Sequence, residues 1–178
     1  MRLLIRLLLL LIYLGGINMA WSQEGQAPSY ELKAVFIFNF TKFVEWPPTT
    51  FDSEDQPFVI GVLGKNPFGR MLEEVVGNEK VDNHPIRIRY YNNTADIGNC
   101  QLLFVSDRGG DGFPRLAGLL QSKHILTVSD RKNFCQQGGV IHLYIQNQNI
   151  KIEINTENAR ASDLRISSKL LTLASISK

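Results

Sequence analysis

Apolar positions fall into short blocks whose period changes along the chain. Leu32, Val35, Phe36, Phe40, Phe43 and Val44 recur at helical spacing. Ser29 can cap the helix they predict, and Pro47-Pro48 stop it. So many aromatic positions on one helix point to core packing, with a partner-binding face as their second use. The run Pro57 to Gly64 is almost continuously apolar, as in a strand buried on both faces. Asn66-Pro67-Phe68-Gly69 then turns the chain, with Pro67 suited to the first position of a helix. That helix carries Met71, Leu72, Val75 and Val76 and ends at Gly77.

Pro85 to Tyr90 alternates as a half-exposed strand should, and Asn92 to Asn99 reads as loop. Leu102 to Val105 and Ile125 to Val128 are further buried strands, each followed by Ser-Asp, with a short helix over Phe113 to Leu120 between them. Val140 to Ile145 and Ile150 to Ile154 flank a polar loop, Gln146 to Asn149, which predicts an antiparallel hairpin. A helical stretch from Asn158 to Leu171 closes the pattern. Strands alternating with helices predict one α/β domain in three layers. Its sheet is mainly parallel, helices cover both faces, and the C-terminal hairpin supplies antiparallel edge strands. The first helix covers one face together with the last.

The N-terminus changes the picture. Arg2 and Arg6 precede an apolar run, Leu7 to Leu14, and Ala20-Trp21-Ser22 reads as a small-x-small cleavage site. The run is shorter than the roughly 20 residues that span a bilayer. The expected organisation is a signal peptide over residues 1–22, a flexible lead-in over 23–29 and an α/β domain over 30–178, with no membrane insertion after cleavage. Such a product works outside the cytoplasm. Cleavage leaves 156 residues (178 − 22), one ordinary domain. It also removes two arginines and no acids, so 17 basic residues (19 − 2) face 17 acidic ones. A neutral chain without a basic run gives no reason to expect a nucleic-acid partner.

Candidate chemistry is sparse. The Gly61 to Gly69 segment looks like a βα turn, and lacks the glycine spacing of a dinucleotide site and the Gly-Lys-Ser/Thr of a phosphate loop. Ser106-Asp107 and Ser129-Asp130 follow buried strands, where open α/β sheets collect ligands, yet Ser-Asp is also an ordinary capping pair. Ser167-Ser168-Lys169 reads as a solvated helix face. His84, His124 and His142 stand apart, and the spacing of Cys100 and Cys135 fits neither a redox motif nor a zinc site. No catalytic residue, metal ligand or cofactor is assigned.

Two blocks carry a resemblance. Tyr30 through Pro47, and Ile154-Asn155 with Leu164-Arg165-Ile166-Ser167-Ser168-Lys169-Leu170-Leu171, resemble the YfiR family of bacterial periplasmic regulatory proteins. The likeness continues, in order, through Phe58–Gly69, Cys100–Ser106, Leu126–Ser129 and Gly138-Gly139. It implies a periplasmic α/β regulator, not an enzyme, that binds and inhibits the periplasmic sensor region of a membrane diguanylate cyclase. That lowers cyclic di-GMP and restrains biofilm; members are often homodimers. Exposed apolar side chains would make the contact, with Phe36, Phe43, Trp46 and Phe68 as candidates. The alternative is a small-molecule sensor with a pocket at the strand ends lined by Asn66, Ser106 and Ser129, and a third reading is an enzyme using Asp107 and Asp130. Four-cysteine members of the family form two disulfides. Cys100 and Cys135 match one cysteine of each, and their partners are absent here, so redox control of that kind need not transfer. A bond between these two would need Cα atoms within about 7 Å, and the sequence leaves it open.

Overall fold

A computed structural model describes residues 30–106 and 113–177. The expected signal peptide, the lead-in with Ser29, and Asp107 lie outside the described residues. The first helix, α1 (Tyr30–Phe43), stops short of Pro47 because the next two residues form β1 (Val44–Glu45). The strand β2 (Phe58–Leu63) is buried along its whole length. Pro67 does not open the next helix: α2 (Met71–Val76) starts later, after an Asn66 turn, and ends at Gly77, whose φ of +51° suits glycine. β3 (Lys80–Val81) and β4 (His84–Tyr91) follow, then β5 (Leu102–Val105), α3 (Phe113–Gln121) and β6 (Leu126–Ser129). The hairpin is β7 (Ile141–Gln146) and β8 (Asn149–Asn155). Gln146 pairs with Asn149, so the expected four-residue loop is a two-residue turn, with Asn147 and Gln148 both at positive φ.

The expected C-terminal helix is broken into α4 (Thr156–Ala161), β9 (Arg165–Ile166), α5 (Ser168–Leu173) and β10 (Ser175–Ser177). Two caps and one left-handed residue explain the break. The Asn155 side chain accepts from the Asn158 N–H to start α4, Asp163 takes φ +54°, and the Ser167 hydroxyl accepts from the Leu170 N–H to start α5. Ser167 is thus a helix cap rather than part of a solvated face.

The main sheet runs β10-β8-β7-β6-β5-β2-β4-β3, and β1 pairs separately with β9. It is mixed, not mainly parallel. The pairs from β7 through β4 are parallel, but β3–β4 and β7–β8 are antiparallel. The C-terminal hairpin does not form the edge either, because β10 adds to β8 in parallel outside it.

Alternate residues of the central strands feed two separate apolar clusters. Phe58, Ile60 and Val62 of β2 and Leu102 and Phe104 of β5 pack with Ala34, Ile37 and Phe40 of α1, Leu72 of α2 and Leu170 of α5. Val59, Leu63, Leu103 and Val105 point the other way, to Phe113, Leu116 and Leu120 of α3 and to Phe134. The period of two along each strand accounts for that division. α1 and α5 share one cluster.

Only part of the set that the large residues of α1 suggested is buried: Phe40 and Val44 are core, but the others are not. Lys33, Ala34, Ile37, Phe38, Phe40 and Thr41 are buried. Leu32 and Val35 are exposed, and Phe36 and Phe43 are only partly buried. The helix is apolar on both sides, so helical spacing alone could not choose the inward face.

Candidate functional site

The outer side of α1 is one candidate surface. Leu32, Val35, Phe36, Asn39 and Phe43 recur at helical spacing and lie as a stripe along one side of α1. Beneath it the helix is held firmly. Lys33 donates to Asp130 Oδ2 at 2.5 Å and Tyr30 Oη to the same oxygen at 2.9 Å. Both side chains of that ion pair are at least nine-tenths buried. The Tyr30 ring stands edge-on to Phe68 at 5.5 Å, and Phe68 to Phe104 at 4.8 Å. Phe68 is therefore a core residue, buried between α1 and β5, and the expectation that it is a contact residue is corrected.

At the exit of α1, antiparallel pairing of Val44 with Ile166 and Glu45 with Arg165 ties the first helix to the C-terminal segment. This pairing sets Trp46. Its Nε1 donates to the Gln101 carbonyl at 3.1 Å, and its ring meets Phe58 edge-on at 4.9 Å. Trp46, Pro47 and Pro48 then form a wall with a cleft on each side. One cleft, of about 630 Å³, is lined by that wall, Leu164, Arg160, Arg165, Glu45 and Asp163. The other, of about 390 Å³, runs from the wall to Phe51, His84 and Asp82. The lining of the first combines apolar Trp46, Pro47, Pro48 and Leu164 with two arginines and two carboxylates. That combination can hold an apolar body and orient a charged end.

The residues expected to line a pocket at the strand ends do not do so. Asn66 turns inward on its own loop, accepting from the Phe68 N–H at 2.9 Å and donating to the Gly69 carbonyl at 2.8 Å. Ser129 is fully buried; its hydroxyl donates to the Val105 carbonyl at 2.5 Å and accepts from the Arg131 N–H. Ser129 closes a turn there, not a helix cap. Ser106 is buried at the end of β5. Asp130 is committed to Lys33 and Tyr30, and its expected partner Asp107 lies outside the described residues.

Cys100 and Cys135 are free, buried thiols, so the bond that the sequence left open is not formed in this structure. Burial pushes both up to about 12. For Cys135 the negative charge of Glu153 adds to burial, and its Sγ donates to the Val140 and Glu153 carbonyls at 3.6 and 3.7 Å. Neutral thiols of this kind are poor nucleophiles. Among the described residues, no cluster of three or more His, Cys, Asp or Glu side chains could hold a metal, and no helix is long and apolar enough to cross a membrane.

The stripe, the wall and the capped C-terminal segment are built from the two blocks that opened the likeness to known proteins. The profile of the YfiR/HmsC-like proteins matches residues 30–175, which is most of the chain. The chain belongs to the YfiR/HmsC-like family. The match runs from the first residue of α1 to the first of β10, so the α1 stripe and the Trp46 clefts lie inside the family domain. The family is one of periplasmic regulators of diguanylate cyclase signalling rather than of catalysts. No individual curated protein matches the chain significantly.

Sequence reasoning reached Phe36, Phe43 and Trp46 through their aromaticity. It missed Leu32 and Val35 as surface residues, and Arg160, Asp163 and Arg165 as cleft residues. The signal for the first pair was present: a helix with apolar residues all round has more apolar surface than one sheet face can cover. The cleft residues left no comparable signal, because the β1–β9 pairing brings them to Trp46 from more than a hundred residues away.

Proposed function

We propose that the chain is exported through a leader of residues 1–22 and acts in the periplasm as an inhibitory partner of a membrane diguanylate cyclase. It binds the cyclase's periplasmic sensor region in an unproductive arrangement, which lowers cyclic di-GMP and restrains biofilm. Binding can shift the cyclase only through unequal affinity for its two states, so the contact surface must fit one arrangement better than the other. The observation that carries this reading is the outer stripe of α1. Leu32 and Val35 are 42% and 36% exposed, beside the partly buried Phe36 and Phe43, on a helix whose other side is fully packed. Exposed apolar side chains gathered on one side of a helix are the kind of surface a protein contact uses. The two apolar clusters support a three-layer domain over residues 30–178, rigid enough to present the stripe. A homodimer of such domains belongs to the same reading.

The test is a pull-down of residues 23–178 against the periplasmic domains of the organism's membrane diguanylate cyclases. Specific retention of one of them is expected. A folded protein that retains none would move the assignment to the second reading, a small-molecule sensor. The cleft at Trp46, Arg160 and Arg165 favours that second reading, in place of Asn66, Ser106 and Ser129. A ligand screen without any thermal stabilisation would remove it.

A further inference from the structure

The second cleft beside Trp46 differs in charge from the first. Its walls are aromatic and proline: Trp46, Pro48, and Phe51 stacked flat on His84 at 3.7 Å and 10°. His84 Nδ1 lies 2.6 Å from the Gln56 carbonyl, and only a donor can face a carbonyl oxygen. In the neutral ring this leaves Nε2 as an acceptor. The charged side chains lining the cleft are Glu54 and Asp82, and neither Lys nor Arg is among its lining residues. Both carboxylates are exposed and make no ion pair among the described residues. Asp82 is held at the rim by the turn between β3 and β4, where Asp82 and Asn83 both take positive φ and Val81 pairs with His84.

Aromatic faces carry the negative end of the ring quadrupole and attract a cation over them. Two uncommitted carboxylates at the mouth add to that attraction, and the wall of Trp46 and Pro48 takes an aliphatic stem. A cavity of about 390 Å³ suits a small molecule or a single side chain. We propose that this cleft binds an alkylammonium group, its charge between Glu54 and Asp82 and its stem against Trp46 and Phe51. The group can belong to a free diamine or to a lysine side chain of a bound protein. The proposal does not depend on the cyclase reading, because none of the residues lining the cleft belongs to the α1 stripe.

Trp46 supplies the readout. The sequence holds two tryptophans, Trp21 and Trp46, so a Trp21→Phe chain reports on Trp46 alone, and because Trp46 lines both clefts a variant at Glu54 and Asp82 assigns the signal to this one. That protein is titrated with 1,5-diaminopentane, with N-acetyl-lysine amide and with 1-pentanol, at low and at physiological salt. A saturable change in Trp46 emission with at least one ammonium probe and none with the alcohol is expected. Saturation with the diamine alone identifies a free amine as ligand, and with the lysine amide alone a protein side chain. The Glu54→Gln/Asp82→Asn variant should weaken binding about tenfold or more. It should still fold, because both residues are exposed and asparagine accepts positive φ as readily as aspartate. No saturable change with either ammonium probe, an equal response to the alcohol, or affinity unchanged in the folded double variant would overturn the proposal.

Discussion

Lys33 and Asp130 face each other inside the protein, where neither charge is solvated. Removing one partner strands the other, whereas removing both leaves an apolar site. Lys33→Met should therefore destabilise the domain by about 3–5 kcal/mol in urea denaturation. Lys33→Met/Asp130→Leu should recover most of that loss. Equal destabilisation by the single and double variants would show that the pair is not the reason. Glu153 gives a second prediction at the same scale. Burial raises its carboxyl, but hydrogen bonds from His142 at 3.0 Å and Gln136 at 3.0 Å outweigh burial and hold it below the ordinary value of 4.5. A depressed folded value contributes stability that is fully present above the unfolded value and lost as pH falls through the folded one. Stability measured from pH 6 downward should fall on this account, and Glu153→Gln should flatten that acid limb.

Elements here are set by a few special positions. Gly139 has no room for a side chain: a Cβ placed on it would lie 2.2 Å from the fully buried Phe134 ring. Gly139→Ala should destabilise the entry to β7 by about 1–3 kcal/mol, read from the shift in the denaturation midpoint. Phe134→Leu should partly offset it, and a neutral Gly139→Ala would show that the ring moves freely. The same reasoning explains which elements were legible. β2, β5 and β6 are runs of apolar residues flanked by turn residues, and their positions follow from composition. The single C-terminal helix expected over Asn158 to Leu171 failed because Asn155 and Ser167 each start a separate short helix. Both capping residues are visible in the sequence, but cap and helix-face serine look alike until the neighbouring chain is placed. β1, β3, β9 and β10 are two or three residues long, too short for any periodicity.

At the scale of the molecule, the contact proposed for the α1 stripe can be tested apart from stability. Val35 is 36% exposed and belongs to neither apolar cluster, so Val35→Glu should leave the denaturation midpoint close to that of the parent. If the stripe is the proposed contact, this variant should abolish retention of the cyclase domain and raise cyclic di-GMP in cells. A variant that folds and still restrains the cyclase would take the stripe out of the contact. Phe68 would not serve in this experiment, since it is core.

The sequence by itself determined the class of the fold, the buried central strands, the hairpin and the family, because these depend on local periodicity and on ordered blocks of residues. Only the tertiary structure decided which side of α1 faces inward, that the sheet is mixed and that β10 lies outside the hairpin. It also decided that Asn66 and Ser129 spend their polar groups on their own backbone, and that Trp46 stands between two clefts of different charge. Each of these outcomes rests on contacts between residues far apart in the chain. No local pattern encodes such contacts until the chain is folded.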